Sequence, residues 1–298
     1  MFAIIGGSGY LGGNLSRSIM ESDDVCIIDR NEPDFVLTDN SSFVRADVVD
    51  QDISDMISCC DAVVHLAAEP DVRRSERAHR DTYLSTEAVV RSMDSTSVRR
   101  IVFASSSAVY GRDGWMADES RPCVPVSEYG RAKRDSENLI TDAEGLDAVI
   151  LRFCNICGRK VTHGVVNDFV RRLEADPSRL DILGNGLQMR EYLHVDDAVA
   201  AVKFVLRSGI SGTYNVGNGD PISVLDVADI VKESMGISDV SVSVGDSDVG
   251  WNGDISRCLL DSTRFRDIGW SPYHGSSDAV QDSVYTLLGI FGRCNHGQ

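Results

Sequence analysis

Short apolar runs alternate with longer stretches of helical period through the first half of the chain. Phe2-Ala3-Ile4-Ile5 reads as a strand, a glycine-rich turn follows, and helical spacing continues to about residue 21. Val25-Cys26-Ile27-Ile28 is a second strand ending at Asp29; 43–48, 61–68 and 100–104 read as a third, fourth and fifth. Helices are expected over about 77–93 and around Tyr129 and Lys133, with a sixth strand at 147–152. Near-continuous apolar strands separated by helices predict an α/β fold, a doubly wound parallel sheet buried on both faces. Beyond about 155 the rhythm loosens into helices near 165–175, 195–207 and 223–235, a Gly184-Asn185-Gly186 turn and a strand at 213–216. No repeat, low-complexity tract or flexible linker interrupts it.

The first turn carries the strongest local signal. Gly6, Gly9 and Gly12 form GxxGxxG, and Gly7, Gly9 and Gly12 equally form GxGxxG, between a strand and a helix. Glycines let the backbone approach a pyrophosphate, and the helix N-terminus offers unpaired N–H groups to it. The first 154 residues are therefore expected to form a dinucleotide-binding Rossmann domain, with 195–217 returning to it. Residues 155–194 and 218–298 are expected to form a smaller C-terminal α/β substrate lobe. Asp29, 17 residues after Gly12, would accept bonds from the ribose hydroxyls and favour NAD over NADP. The neighbouring Arg30 could instead welcome a 2′-phosphate or sit in solvent. Asp47 could meet the adenine amino group or cap the next helix. Small residues at Ala67 and Ala68 leave room for a cofactor, and ligands in such sheets gather where the strands end, near Asp29, Ala67, Ser106 and Asn155.

The net charge of −17 opposes binding to nucleic acid or to an anionic membrane surface. No stretch of 18 apolar residues is present, and the apolar N-terminus lacks a basic segment, so it reads as a strand and not a signal peptide. Eight cysteines in no regular framework suit reduced thiols in a cytoplasmic protein. Cys154 and Cys157 have CxxC spacing, but no second pair completes a metal site, so no metal is expected. The chain holds 34 Asp and 12 Glu against 25 Arg and four Lys. Lysine is scarce, which sharpens interest in Lys133.

Tyr129 and Lys133 are four residues apart on an expected helix and so share a face. An ammonium beside a phenol favours the phenolate, which predicts a Tyr129 lowered from about 10 into the range of a usable base.

Gly6-x-x-Gly9-x-x-Gly12, His65-Leu66-Ala67-Ala68, Ser105-Ser106-Ser107-Ala108-Val109-Tyr110-Gly111, Tyr129-x-x-x-Lys133 and Arg152-Phe153-Cys154-Asn155 occur in this order. The series resembles the extended short-chain dehydrogenase/reductase family, in its nucleotide-sugar epimerase/dehydratase branch. Arg190-Glu191-Tyr192-Leu193-His194-Val195-Asp196-Asp197, Tyr214-Asn215-Val216-Gly217 and Gly250-Trp251-Asn252-Gly253-Asp254 extend the likeness over roughly residues 1–272, nearest to compact archaeal-type 4-epimerases.

The resemblance implies an NAD-dependent UDP-glucose/UDP-galactose 4-epimerase that works through a transient 4-keto sugar. Tyr129 would take the O4 proton, Ser106 would bond the same oxygen, and Lys133 would hold the nicotinamide ribose. NAD would lie against Gly6, Gly9, Tyr10, Leu11, Gly12, Asp29, Arg30, Asp47, Val48, Leu66, Ala67, Ala68, Ser105 and Phe153. The UDP-sugar would meet Ser106, Ser107, Asn155, Val166, Asn167, Arg190 and Asp254. Cys258, at the family's pocket-size position, would admit N-acetylated UDP-hexosamines. The alternatives are a dehydratase, a decarboxylase or a reductase, and, ranked last, a non-catalytic cofactor sensor. Lyases of this branch carry an acid after the Ser/Thr of this run; here Ser107-Ala108 follows Ser106, which favours the epimerase. Thr82, Trp251 and Arg159 depart from the family pattern. The family also implies a homodimer through the helices near 77–93 and 127–143.

Overall fold

The computed structural model describes residues 1–69, 76–251 and 254–290. The first half runs β1 (Phe2–Ile5), α1 (Tyr10–Ile19), β2 (Val25–Asp29), β3 (Ser41–Arg45), α2 (Ser54–Ile57), β4 (Ala62–His65), α3 (Glu76–Asp94), β5 (Arg100–Ser106), β6 (Trp115–Ala117), α4 (Glu128–Asp142) and β7 (Asp147–Phe153). The second half runs β8 (Asn155–Cys157), α5 (Val165–Ala175), β9 (Arg179–Ile182), β10 (Met189–His194), α6 (Val195–Ser208), β11 (Gly212–Val216), β12 (Pro221–Ser223), α7 (Val224–Met235), β13 (Ser241–Val244), β14 (Leu259–Leu260), α8 (Thr263–Asp267) and α9 (Ser276–Leu287).

Seven strands form one sheet in the order β11-β7-β5-β4-β1-β2-β3, every neighbour parallel. The expected doubly wound α/β sheet is thus present. Alternate strand residues face opposite sides, and both sides are covered. Ile4, Val64, Val102, Val149 and Leu151 pack with Leu15 and Ile19 of α1 and with Ala198, Val202 and Val205 of α6. Ala3, Ile5, Val63, Ile101, Phe103 and Ile150 pack on the other side with Val89 and Met93 of α3 and Ile140 of α4.

The third strand stops at Arg45, short of the expected Val48. The chain turns there because Asp47 Oδ1 accepts the Val49 N–H (3.1 Å) and the Asp47 carbonyl accepts Asp50 and Gln51 N–H. That local turn also answers the capping alternative, since α2 is preceded by Ile53 and not by Asp47.

In the second half, β10 pairs in parallel with β8 and antiparallel with β12, and β13 pairs with β9. Helices α5, α7 and α9 close a separate core of Val166, Phe169, Leu173, Val227, Val231, Val280 and Val284. The ends of α7 are written in the chain. Ser223 and Asp226 form a reciprocal capping box, and Gly236 (φ 70°) turns the chain out of the helix.

Candidate active site

The C-terminal ends of β1, β4, β5 and β7 and the start of β8 open onto a cleft of about 770 Å³. One end is built by the glycine turn. A Cβ on Gly12 would lie 2.0 Å from the Gly6 carbonyl oxygen, and one on Gly6 (φ +81°) would lie 2.7 Å from Ala67 N. Glycine is thus required for α1 to start this close to β1 and β4. Gly9 caps α1 with no side-chain acceptor, so the first N–H groups of the helix stay available toward the cleft. Asp29 reaches across this turn: its Oδ2 accepts Ser8 N–H (3.0 Å) and its Oδ1 accepts Asn31 N–H (2.9 Å). The Arg30 side chain is exposed.

The middle of the cleft is where α4 meets β5. Ser127 caps α4 by accepting Gly130 N–H (3.1 Å), which puts Tyr129 in the first turn. A Cβ on Gly130 would lie 2.5 Å from the Ala108 carbonyl oxygen. Glycine at this position lets the helix close on the Ser105–Ala108 segment, and the Tyr129 hydroxyl hydrogen-bonds Ser106. Lys133 follows one turn later, 2% exposed. Its Nζ donates to the Ala104 carbonyl (2.6 Å) and lies 4.8 Å from the Phe103 ring centre and 6.0 Å from that of Tyr129. Burial lowers Lys133 to about 7, against the pull of the Glu137 carboxylate, which favours the ammonium. Burial raises Tyr129, and the bond from Ser106 works the other way. The expected depression of Tyr129 by Lys133 is therefore not found among the protein's own groups. Both side chains are desolvated together, and the ammonium donates its hydrogen bond to a carbonyl, not to the phenol. His65, fully buried behind them, is held neutral by burial and by the Lys133 charge, near about 3.

At the far end Arg190 bonds Asp254 Oδ1 (2.6 Å) and the Ile255 carbonyl, so two expected substrate residues pair with each other. Asp254 Oδ2 also accepts Gly250 N–H (2.8 Å). Cys258 is buried, lines the cleft and hydrogen-bonds Ser107. Burial pushes both thiols of the CxxC up, Cys157 to about 12 and Cys154 well above its ordinary value.

The cleft wall thus gathers Gly6, Gly9, Tyr10, Leu11, Gly12, Leu66, Ala68, Ser105, Ser106, Ser107, Tyr129, Lys133, Phe153, Asn155, Val166, Arg190, Asp254 and Cys258. Asp29, Arg30, Asp47, Val48, Ala67 and Asn167 are not part of that wall. Asn167 is buried, with its amide donating to the Val161 carbonyl (3.4 Å). Sequence reading missed Asn14, Asp34, Asp168, Phe169, Arg172 and Gln188, which all reach the wall. Three of them had a signal. Val165, Asp168, Phe169 and Arg172 share the i, i+3, i+4, i+7 face of α5, whereas the sequence reading picked out Val166 and Asn167 there.

A family model described as the NAD-dependent epimerase/dehydratase family matches residues 2–217. The chain belongs to that family. A putative UDP-glucose 4-epimerase of Methanocaldococcus jannaschii is 30% identical over 292 residues, covering 91% of this chain and 93% of that protein. A dTDP-glucose 4,6-dehydratase of Streptomyces niveus is 28% identical, covering 94% of this chain and 90% of its own length. Among solved structures, a UDP-galactose 4-epimerase superposes with a TM-score of 0.85 at 29% identity, over 98% of this chain and 99% of the other. Family members of more than one reaction type thus resemble this chain along nearly its whole length. Among the described residues no helix is long and apolar enough to cross a membrane.

Proposed function

We propose that the protein is an NAD-dependent 4-epimerase of UDP-hexoses that interconverts UDP-glucose and UDP-galactose. The observation that carries this reading is the wall facing Tyr129. Ser105, Ser106, Ser107 and Ala108 stand there with no carboxylate among them. Loss of water or CO2 from a sugar needs an added acid or base at that place. Proton transfer at O4 alone does not.

The turn of Gly6, Gly9 and Gly12 fits a dinucleotide, because the absence of a Cβ at Gly6 and Gly12 lets the α1 N-terminus come up against the strand ends, where its N–H groups would meet a pyrophosphate. Tyr10 and Leu11 would flank the pyrophosphate, and Asp29, Asp47 and Val48 would face the adenosine half. Leu66, Ala68, Ser105 and Phe153 would pack against the nicotinamide half. Bound NAD+ supplies a hydride acceptor that later returns the hydride. Tyr129 takes the proton from the sugar O4, and Ser106 bonds the same oxygen and steadies it. Lys133, one turn away, would hold the nicotinamide ribose. Asn155, Arg190 and Asp254 hold the UDP portion, with Arg190 exchanging its Asp254 bond for a diphosphate oxygen. The keto sugar would turn over in the pocket, so that C4 is reduced on its other face while Tyr129 returns the proton to O4. Cys258 leaves space for an N-acetyl group. Residues 1–154 with 195–217 serve the cofactor and the remainder serves the substrate. The protein works in the cytoplasm as a homodimer through α3 and α4.

Purified protein incubated with UDP-galactose, without added NAD+, should yield UDP-glucose. A 4-keto-6-deoxy product would support the dehydratase reading instead, and a demand for stoichiometric NADPH would support a reductase.

A further inference from the structure

Glu137 is a buried carboxylate on α4, one turn beyond Lys133, and none of the chemistry above uses it. Its Oε1 accepts bonds from Ser105 Oγ and from Arg152 Nε (3.0 Å), and its Oε2 accepts Arg152 Nη2 (2.6 Å). Arg152, on β7 and also buried, donates Nη1 to Tyr110 Oη (2.8 Å), which donates to Asn215 Oδ1 (2.7 Å) on β11. Asn215 Nδ2 closes the chain on the Ala117 (2.8 Å) and Asp261 (3.0 Å) carbonyls. This network sits directly behind the reacting groups. Ser105 precedes Ser106 in β5, and the Ala104 carbonyl before it holds Lys133 Nζ. We propose that Glu137 and Arg152 are a positioning pair for the reaction: they lock the end of β5 onto α4, so that Ser106 meets Tyr129, and they present a fixed carboxylate to the Lys133 ammonium.

The surroundings of Lys133 support the electrostatic half. It faces Glu137 and Tyr129 on its own helix, His65 from β4 and the Phe103 ring from β5. His65 is neutral near physiological pH, and His79 of α3 stacks edge-on against Tyr129 (5.7 Å between ring centres). Glu137 faces Arg152, Ser105 and the Cys123 thiol. Glu137 is therefore the carboxylate whose charge acts on Lys133. Removing that charge lets the ammonium lose its proton at lower pH.

The turnover arm of the test rests on the 4-epimerase reading; its titration arm does not. Two variants are compared with the parent protein, Glu137→Gln and Glu137→Gln/Arg152→Met. The second removes both charges, so no unpaired guanidinium is left to unfold the protein. With UDP-galactose, both variants should lose about tenfold or more in kcat while KM stays within about twofold, and the alkaline limb of kcat should move down by about one pH unit. Without substrate, the rise of urea stability with pH that comes from Lys133, taken as the difference from a Lys133→Met partner in each background, should begin at lower pH in both variants. A double variant with the parent's kcat and pH limb would overturn the proposal and leave the pair a packing feature. Should the parent protein fail to turn over UDP-galactose, the functional reading falls. The substrate-free titration then decides alone, and an unchanged onset would overturn the pair's role.

Discussion

Replacing Lys133 with Met should make the protein more stable and inactive at once. Lys133 is 2% exposed, and burial carries it from 10.5 to about 7. The unfolded chain therefore holds a proton that the folded chain releases between about pH 7 and 10.5. Because the folded value is depressed for a base, stability rises with pH through that window. Below it, the folded state carries the full cost of a desolvated ammonium. The difference corresponds to about 5 kcal/mol as an upper bound. The bond to the Ala104 carbonyl, which Met cannot make, takes back on the order of 1–2 kcal/mol. Met nearly matches Lys in length and carries no charge to desolvate. Urea unfolding of dinucleotide-stripped protein at pH 6 should thus show Lys133→Met more stable by roughly 2–4 kcal/mol. The gap should shrink steadily toward pH 10. A variant less stable than the parent at pH 6, or a gap of the same size at both ends, would refute this account of the buried ammonium. Turnover of UDP-galactose should vanish in the same variant, an instance of a functional group kept at a cost in stability.

Tyr129→Phe should lower kcat by about 10²–10⁴-fold while the protein still copurifies with dinucleotide, as read by nucleotide release and chromatography. Gly12→Ala drives a methyl to 2.0 Å from the Gly6 carbonyl; it should reduce retained dinucleotide and cost about 1–3 kcal/mol in urea unfolding. Glu191, 1% exposed, accepts Leu260 N–H (2.7 Å) on Oε1 and Gly219 N–H (2.9 Å) on Oε2. Glu191→Gln leaves one of these donors without an acceptor and should destabilise by about 1–3 kcal/mol, with thermal unfolding as the measure.

Local signals were legible because they depend on near neighbours in the chain. The strands showed as apolar runs since both sheet faces are buried, and the parallel order followed from their alternation with helices. The glycines at 6, 9 and 12 announced a turn that demands glycine at 6 and 12, and the spacing of Tyr129 and Lys133 needed nothing beyond a helix. What the tertiary structure decided was which distant groups meet. Arg190 and Asp254 are 64 residues apart, and Tyr110 and Asn215 are 105 apart. No periodicity joins such pairs; only closure of the sheet and lobe does. The Tyr129 hydroxyl illustrates the same divide. Spacing alone argued for a lowered phenol, whereas burial raises it, because desolvation depends on everything packed around a group and not on the residue four positions away.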